Sequence, residues 1–311
     1  MYDLTRVRKA KSDLRILPTE QILPAAADLD RMSSLEIAQL INDEDATVAA
    51  AVRGALPQIA RAIDVIAAGL RHGGRLIYVG AGTSGRLGAL DASEIPPTFH
   101  TDPRSVQFIM AGGTRALGAS TEASEDDTAL AVAEMKKRKP GKHDVVFGIA
   151  TSGRTPFTIA AIEYARRRGA RTIALTCNRD SPLERAADFA IVTEVGPEVL
   201  AGSSRMKAGT AHKMVLNMIS TGAMCRLGYV YGNLMVNVWT KNEKLTQRAI
   251  RIVEQATGAD HDTASCALKA AGNRTPVAVV MLAAGVTRPQ AAAALKKSKG
   301  HVRHAIALAK S

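Results

Sequence analysis

Between Val48 and Leu70, the apolar residues Val48, Val52, Leu56, Ile59, Ile63, Ile66 and Leu70 recur at steps of three and four, which is one face of a helix. Pro57 lies inside this stripe and predicts a kink, and His72-Gly73-Gly74 predicts the stop. The period then changes. Leu76-Ile77-Tyr78-Val79 is a short apolar run flanked by glycines, the pattern of a buried strand. Comparable runs follow at Val106–Met110, Val145–Ile149, Thr172–Thr176 and Ala190–Val195. Helical stretches lie between and after them. Glu122–Lys139 starts acidic, ends basic and is stopped by Pro140-Gly141, as a helix dipole favours. Phe157–Arg168 ends at Gly169, and longer helices are expected over Lys207–Arg226 and Asn242–Gln255. Short strands alternating with helices predict an α/β fold with an open, mostly parallel sheet flanked by helices. Residues 1 to about 30, charged and irregular with Pro18 and Pro24, read as an arm. From Asp260 onward the pattern is helical, with a weak repeat: Ala267-Leu268-Lys269 before Gly272, and Ala294-Leu295-Lys296 before Gly300.

Composition narrows the partners. Aromatic residues are 4% of the 311, so the core must come from aliphatic side chains and Met, which suits helices on a parallel sheet. The formal net charge of +12 favours an anionic partner and leaves nucleic acid, membrane and acidic metabolite open. Cys177, Cys225 and Cys266 are widely spaced and form no CxxC pair, which speaks against a disulfide framework or structural zinc and for a reducing compartment. The start, MYDLTRVRKAKSDLRILP, holds no signal-peptide apolar run, and the longest apolar stretch, around Val277–Val286, falls short of the ~20 residues of a membrane span. A cytoplasmic protein with no membrane partner is expected. The basic runs Lys136–Lys139 and Arg166–Arg168 read as solvated helix ends, and neither a helix-turn-helix pattern nor an aromatic stacking platform stands out, so no nucleic acid is expected.

The chemistry concentrates in glycine-serine loops. Gly80, Gly82 and Gly85 form G-x-G-x-x-G after a strand, a dinucleotide fingerprint, but the second strand runs into Ala111-Gly112-Gly113 and lacks the acid that would hold a ribose. More telling, Thr83-Ser84-Gly85-Arg86 recurs as Thr151-Ser152-Gly153-Arg154, each copy after a strand and before a helix. Two hydroxyl-rich loops at helix N-termini offer backbone N–H groups and Ser/Thr donors to an anion. An isolated T-S-G would ordinarily be a helix cap; the repetition favours a phosphomonoester site that also draws on Thr155. A third loop with Ser203 and Ser204 precedes the Lys207 helix and could complete the pocket. The seven His are scattered and no HExxH occurs, so no metal and no cofactor are expected.

These loops resemble the sugar isomerase (SIS) fold. The likeness then becomes closer: GAGTSGRLGALDASEIPPTF (Gly80–Phe99), EASEDD (Glu122–Asp127), SGRTPF (Ser152–Phe157), GPEVLAGSSRMKAGTAHKMVLNMIS (Gly196–Ser220), YGNLMVNV, NEKL and GHVRHAI resemble N-acetylmuramic acid 6-phosphate etherases, in order along nearly the whole chain. Departures are Ile95 where Cys is usual, Ser204 for Thr, His212 for Gln, and no Asn-Pro pair after Glu20. The resemblance implies a SIS-type sugar-phosphate domain and a homodimer; with the helical pattern of the tail, the expected domains are residues 1–255, including an N-terminal helical arm, and a C-terminal helical subdomain over 256–311. It implies cleavage of the D-lactyl ether of N-acetylmuramic acid 6-phosphate to N-acetylglucosamine 6-phosphate and D-lactate, by elimination then hydration, in amino sugar recycling or catabolism.

The elimination needs one base and one acid. By resemblance these are Glu125, taking the C2 proton and later activating water, and Glu94, protonating the departing lactyl oxygen. Read alone, Glu125 would stabilise a helix N-terminus and Glu94 would be a solvated carboxylate where its helix ends before Pro96-Pro97. Three other functions fit the loops: a non-catalytic sugar-phosphate sensor like the glucokinase regulatory protein, an aldose–ketose isomerase, and a nucleic-acid-binding regulator. A sensor would need the loops but neither carboxylate.

Overall fold

The computed structural model describes residues 17–119, 122–238, 240 and 242–311. Most of the predicted arm, residues 1–16, lies outside them; its remainder forms three short 3₁₀ turns between Pro18 and Arg31. Helices α1 (Ser34–Ala46), α2 (Val48–Gly54) and α3 (Leu56–Arg71) follow. The stripe from Val48 to Leu70 is thus divided between two helices. Pro57 opens the second one instead of kinking a single helix, because its missing N–H costs nothing in a first turn.

Five strands, β1 (Leu76–Gly80), β2 (Val106–Met110), β3 (Val145–Ile149), β4 (Arg171–Thr176) and β5 (Phe189–Val192), pair in parallel in the order β2-β1-β3-β4-β5. The last is shorter than expected. The connecting helices are α4 (Gly82–Phe99), α5 (Thr128–Arg138), α6 (Pro156–Arg167) and α7 (Pro182–Ala186), and α8 (Lys207–Arg226) follows the sheet. Alternation along the strands builds two cores. Leu76, Tyr78, Phe147 and Ile149 pack with α2, α3, α4 and α8 on one face, while Ile77, Val79 and Val146 pack with α5 and α6 on the other.

Two predicted helices change form. Glu122–Lys139 is a 3₁₀ turn, Glu122–Asp126, followed by α5. Asp127 divides them: its side chain accepts from the Leu130 N–H at 2.8 Å and caps α5, so that role does not fall to Glu125. Conversely, α4 does not stop at Glu94. It runs through Pro96 and Pro97 to Phe99, held by Ile95 and Phe99, which are buried one turn apart in the core.

The rest is helical, as expected: α9 (Glu243–Thr257), α10 (His261–Ala270), α11 (Thr275–Ala284), α12 (Arg288–Lys297) and α13 (Val302–Lys310). They share a separate apolar core from Val236 to Ala305. Among the described residues no single helix is long and apolar enough to cross a membrane.

Candidate active site

The chain leaves β1 toward β2 on one side of the sheet and leaves β3 toward β4 on the other, while β1 and β3 are neighbours with Gly80 opposite Ile149. This is the switch point where open α/β sheets form a crevice at the carboxyl ends of their strands. The two T-S-G-R copies follow these two strands, so the topology sets them side by side.

In the first copy, Gly82, Thr83 and Ser84 are the opening residues of α4. Ala81 has no side chain to cap them, and the first intrahelical bond runs from the Gly85 N–H to the Ala81 carbonyl (3.1 Å). The N–H groups of that turn therefore face the crevice at the positive end of an 18-residue helix. Gly85 is required because a Cβ there would lie 2.8 Å from the Gly80 carbonyl oxygen. Ser84 is buried and Thr83 half-buried. Arg86 turns away: its Nε donates to the carbonyls of Ala116 (3.1 Å) and Leu117 (3.2 Å), and Nη2 to that of Ala119 (3.0 Å).

The second copy is a turn. Ser152 Oγ accepts from the Arg154 N–H at 3.2 Å, Gly153 takes a φ of +63°, and α6 begins only after Thr155. A Cβ on Gly153 would collide with Ser181. Asn178, just beyond β4, ties this loop down by donating to the Thr151 carbonyl at 2.9 Å. The same amide donates to Thr19 Oγ1 at 3.1 Å and brings the N-terminal segment to the rim.

The third loop also arrives at the crevice. A Cβ on Gly209, in the first turn of α8, would lie 3.6 Å from Thr83 and 3.7 Å from the Ser204 carbonyl oxygen. Ser203 and Ser204 are half-buried. The N-terminus of α8 is already occupied, because the fully buried Glu198 accepts from the N–H groups of Lys207 (2.8 Å) and Ala208 (3.0 Å). Burial pushes the Glu198 carboxyl above its ordinary range against these bonds. The Lys207 ammonium, also buried, pairs with Glu44 of α1.

Glu125 reaches the first loop from the 3₁₀ turn: a Cβ on Gly82 would touch its Oε1 at 3.2 Å. Glu94 is elsewhere. It is exposed on α4, ten residues beyond Ser84, which is about 15 Å along the axis at 1.5 Å per residue. One turn before it, Asp91 is buried and joins three elements, accepting from Tyr78 Oη (2.7 Å) and Ser220 Oγ (3.0 Å). Thr19, Asn178, Asp91 and Glu198 were not singled out by the sequence. Glu198 does stand in the GPEVLAGSSRMKAGTA stretch, but nothing local shows that it closes a helix nine residues on. Among the described residues no three His, Cys, Asp or Glu side chains gather as metal ligands.

A parallel sheet with hydroxyl-bearing loops at its switch point defines a SIS-type α/β protein. Residues 58–166 match the glucokinase regulatory protein N-terminal SIS domain, and residues 124–221 match the SIS domain. The chain is 50% identical over 309 residues to the N-acetylmuramic acid 6-phosphate etherase of Streptomyces avermitilis, covering 99% of each. It is 56% identical over 275 residues to that of Symbiobacterium thermophilum, covering 88% of this chain and 91% of the other. The chain belongs to the N-acetylmuramic acid 6-phosphate etherase family.

Proposed function

We propose that the chain cleaves the D-lactyl ether of N-acetylmuramic acid 6-phosphate, yielding N-acetylglucosamine 6-phosphate and D-lactate. The observation that supports this reading is the Glu125 carboxylate close to the first turn of α4, which has no side-chain N-cap, where a base would stand beside a helix end suited to phosphate. The phosphate sits between the first turn of α4, with Thr83, Ser84 and Gly85, and the Ser152-Gly153-Arg154-Thr155 turn, with Ser203 and Ser204 at the edge. Arg86 serves by holding the 116–119 segment that leads to Glu125. The sugar opens to its aldehyde, which makes the C2 proton acidic. Glu125 takes that proton, the C3–O bond breaks, and the lactyl oxygen receives a proton from Glu94. Glu94, now ionised, activates the water that adds to C3 of the unsaturated aldehyde, and Glu125 returns its proton to C2, which restores both carboxyls.

Distance favours a site shared between two copies. Six bonds of about 1.5 Å separate the phosphorus from the C3 oxygen, so these atoms lie within about 8 Å. The phosphate lies beyond the N-terminus of α4, while Glu94 stands about 15 Å down the same helix, out of the substrate's reach. The Glu94 of a second copy meets the need. Leu90, 44% exposed and one turn before Glu94, gives that face of α4 an apolar residue for a partner to cover. The protein acts as a homodimer in the cytoplasm, with the three cysteines as free thiols, and residues 256–311 lie in a helical subdomain that also takes in α9 and the core residues from Val236. Incubating purified protein with N-acetylmuramic acid 6-phosphate is expected to release D-lactate. Sugar-phosphate binding without lactate would indicate the sensor instead.

A further inference from the structure

A cavity of about 320 Å³ lies at the opposite end of the sheet from the glycine-serine loops, where the α/β body meets the C-terminal helices. The body contributes Arg71, at the end of α3, and Thr101 and Ser105, between α4 and β2. The C-terminal helices contribute Lys299 and His301, and Tyr229 closes one wall. The Ser105 carbonyl accepts from the Leu76 N–H (2.9 Å), which fixes the cavity at the amino end of β1.

Among the described residues no acidic side chain lines it. Asp102, next to Thr101, is exposed and paired with Arg104 at 2.7 Å. Arg71 is steadied by donating from Nη2 to the Arg226 carbonyl at 3.0 Å. His301 is the N-cap of α13 and makes no side-chain cap, so the N–H groups of that helix's first turn are open beside the two cations. Thr101 is 6% exposed and its hydroxyl has no hydrogen-bond partner among the described residues; a turn about Cα–Cβ offers it to the cavity without breaking a bond. The remaining wall is apolar, and the volume is that of a small-ligand pocket, about 300–1,000 Å³.

We propose that this cavity is a second anion site, which binds a small phosphate monoester of sugar-phosphate size and fastens the C-terminal helices to the α/β body. The phosphate meets Arg71, Lys299 and the α13 N-terminus, and the carbon body rests on Tyr229 and the apolar wall. The site does not depend on the etherase reading.

The His301 ring-proton resonance, identified by its loss in His301→Gln, reports on the site directly. Glucose 6-phosphate and inorganic phosphate are expected to shift it to saturation, and glucose is expected to leave it in place. The shift should persist in Ser84→Ala, which separates this cavity from the crevice. In the Arg71→Gln/Lys299→Gln double variant it should need at least tenfold more ligand, while lactate release at low phosphate stays at the wild-type rate. No shift, an equal shift with glucose, or unchanged affinity in the double variant would each overturn the proposal.

Discussion

Thr83-Ser84-Gly85-Arg86 and Thr151-Ser152-Gly153-Arg154 are the same tetrapeptide folded two ways. The first is the opening of a long helix, with Gly85 in helical geometry because it must pass close to β1. The second is a turn in which Gly153 adopts a left-handed φ and Ser152 holds the Arg154 N–H. The surroundings decide. Ala81 follows β1 directly into α4, whereas Pro156 starts α6 later and leaves the second copy outside it. One copy thus offers a helix dipole and a first turn without a side-chain N-cap; the other offers a braced hydroxyl turn. Both follow neighbouring strands at the switch point, and the proposed site uses them as complementary donors to one phosphate.

The largest expected effect lies above the first loop. Glu125→Gln should lower lactate release by about 10²–10⁴-fold and abolish deuterium exchange at C2 in heavy water. Glu94→Gln should lose lactate release by a similar factor yet retain exchange, since the base remains. Exchange surviving in Glu125→Gln but lost in Glu94→Gln would reverse the two roles.

Below the second loop, the buried His212 has its pKa pushed down to about 4 by desolvation, and its Nε2 lies 3.6 Å from Cys177 Sγ. The unfolded chain takes up this proton near pH 6.5 and the folded chain only near 4, so the neutral ring contributes fully above about 6.5 and stability falls as the pH drops toward 4. The loss amounts to about 3 kcal/mol. Urea unfolding of His212→Gln should show a flatter profile over that window; an unchanged profile would place the acid sensitivity elsewhere.

The smallest effects separate the loops themselves. Ser84→Ala and Ser152→Ala should each weaken phosphosugar binding by about 1.5–3 kcal/mol, the worth of a hydrogen bond to a charged group. Ser152→Ala should also lose about 1 kcal/mol of stability, because the Arg154 N–H loses its acceptor. Equal stabilities would mean that the different folding of the two copies carries no energy.

The sheet was legible because its strands are short apolar runs bounded by glycine or polar residues; the predicted bounds of β2 and β3 coincide with those observed. The repeated tetrapeptide likewise marked the crevice. Competition between neighbours was not legible. Four acidic residues stand between Glu122 and Asp127, and only the geometry shows that Asp127 takes the cap and leaves Glu125 in a separate turn. The Pro96-Pro97 pair looked like a helix end, yet buried Ile95 and Phe99 carry α4 past it. Long-range pairs such as Lys207–Glu44 and Asp91–Ser220 leave no local pattern.

Subunit complementation tests the shared site most directly. Glu94→Gln and Glu125→Gln chains, each inactive alone, are mixed in equal amounts, unfolded and refolded together. Random pairing makes half of the dimers mixed, each with one crevice holding both carboxylates, so lactate release should recover to about one quarter of the wild-type rate. If both carboxylates act from the same chain, every crevice in the mixture lacks one of them, and the absence of any recovery would contradict the account.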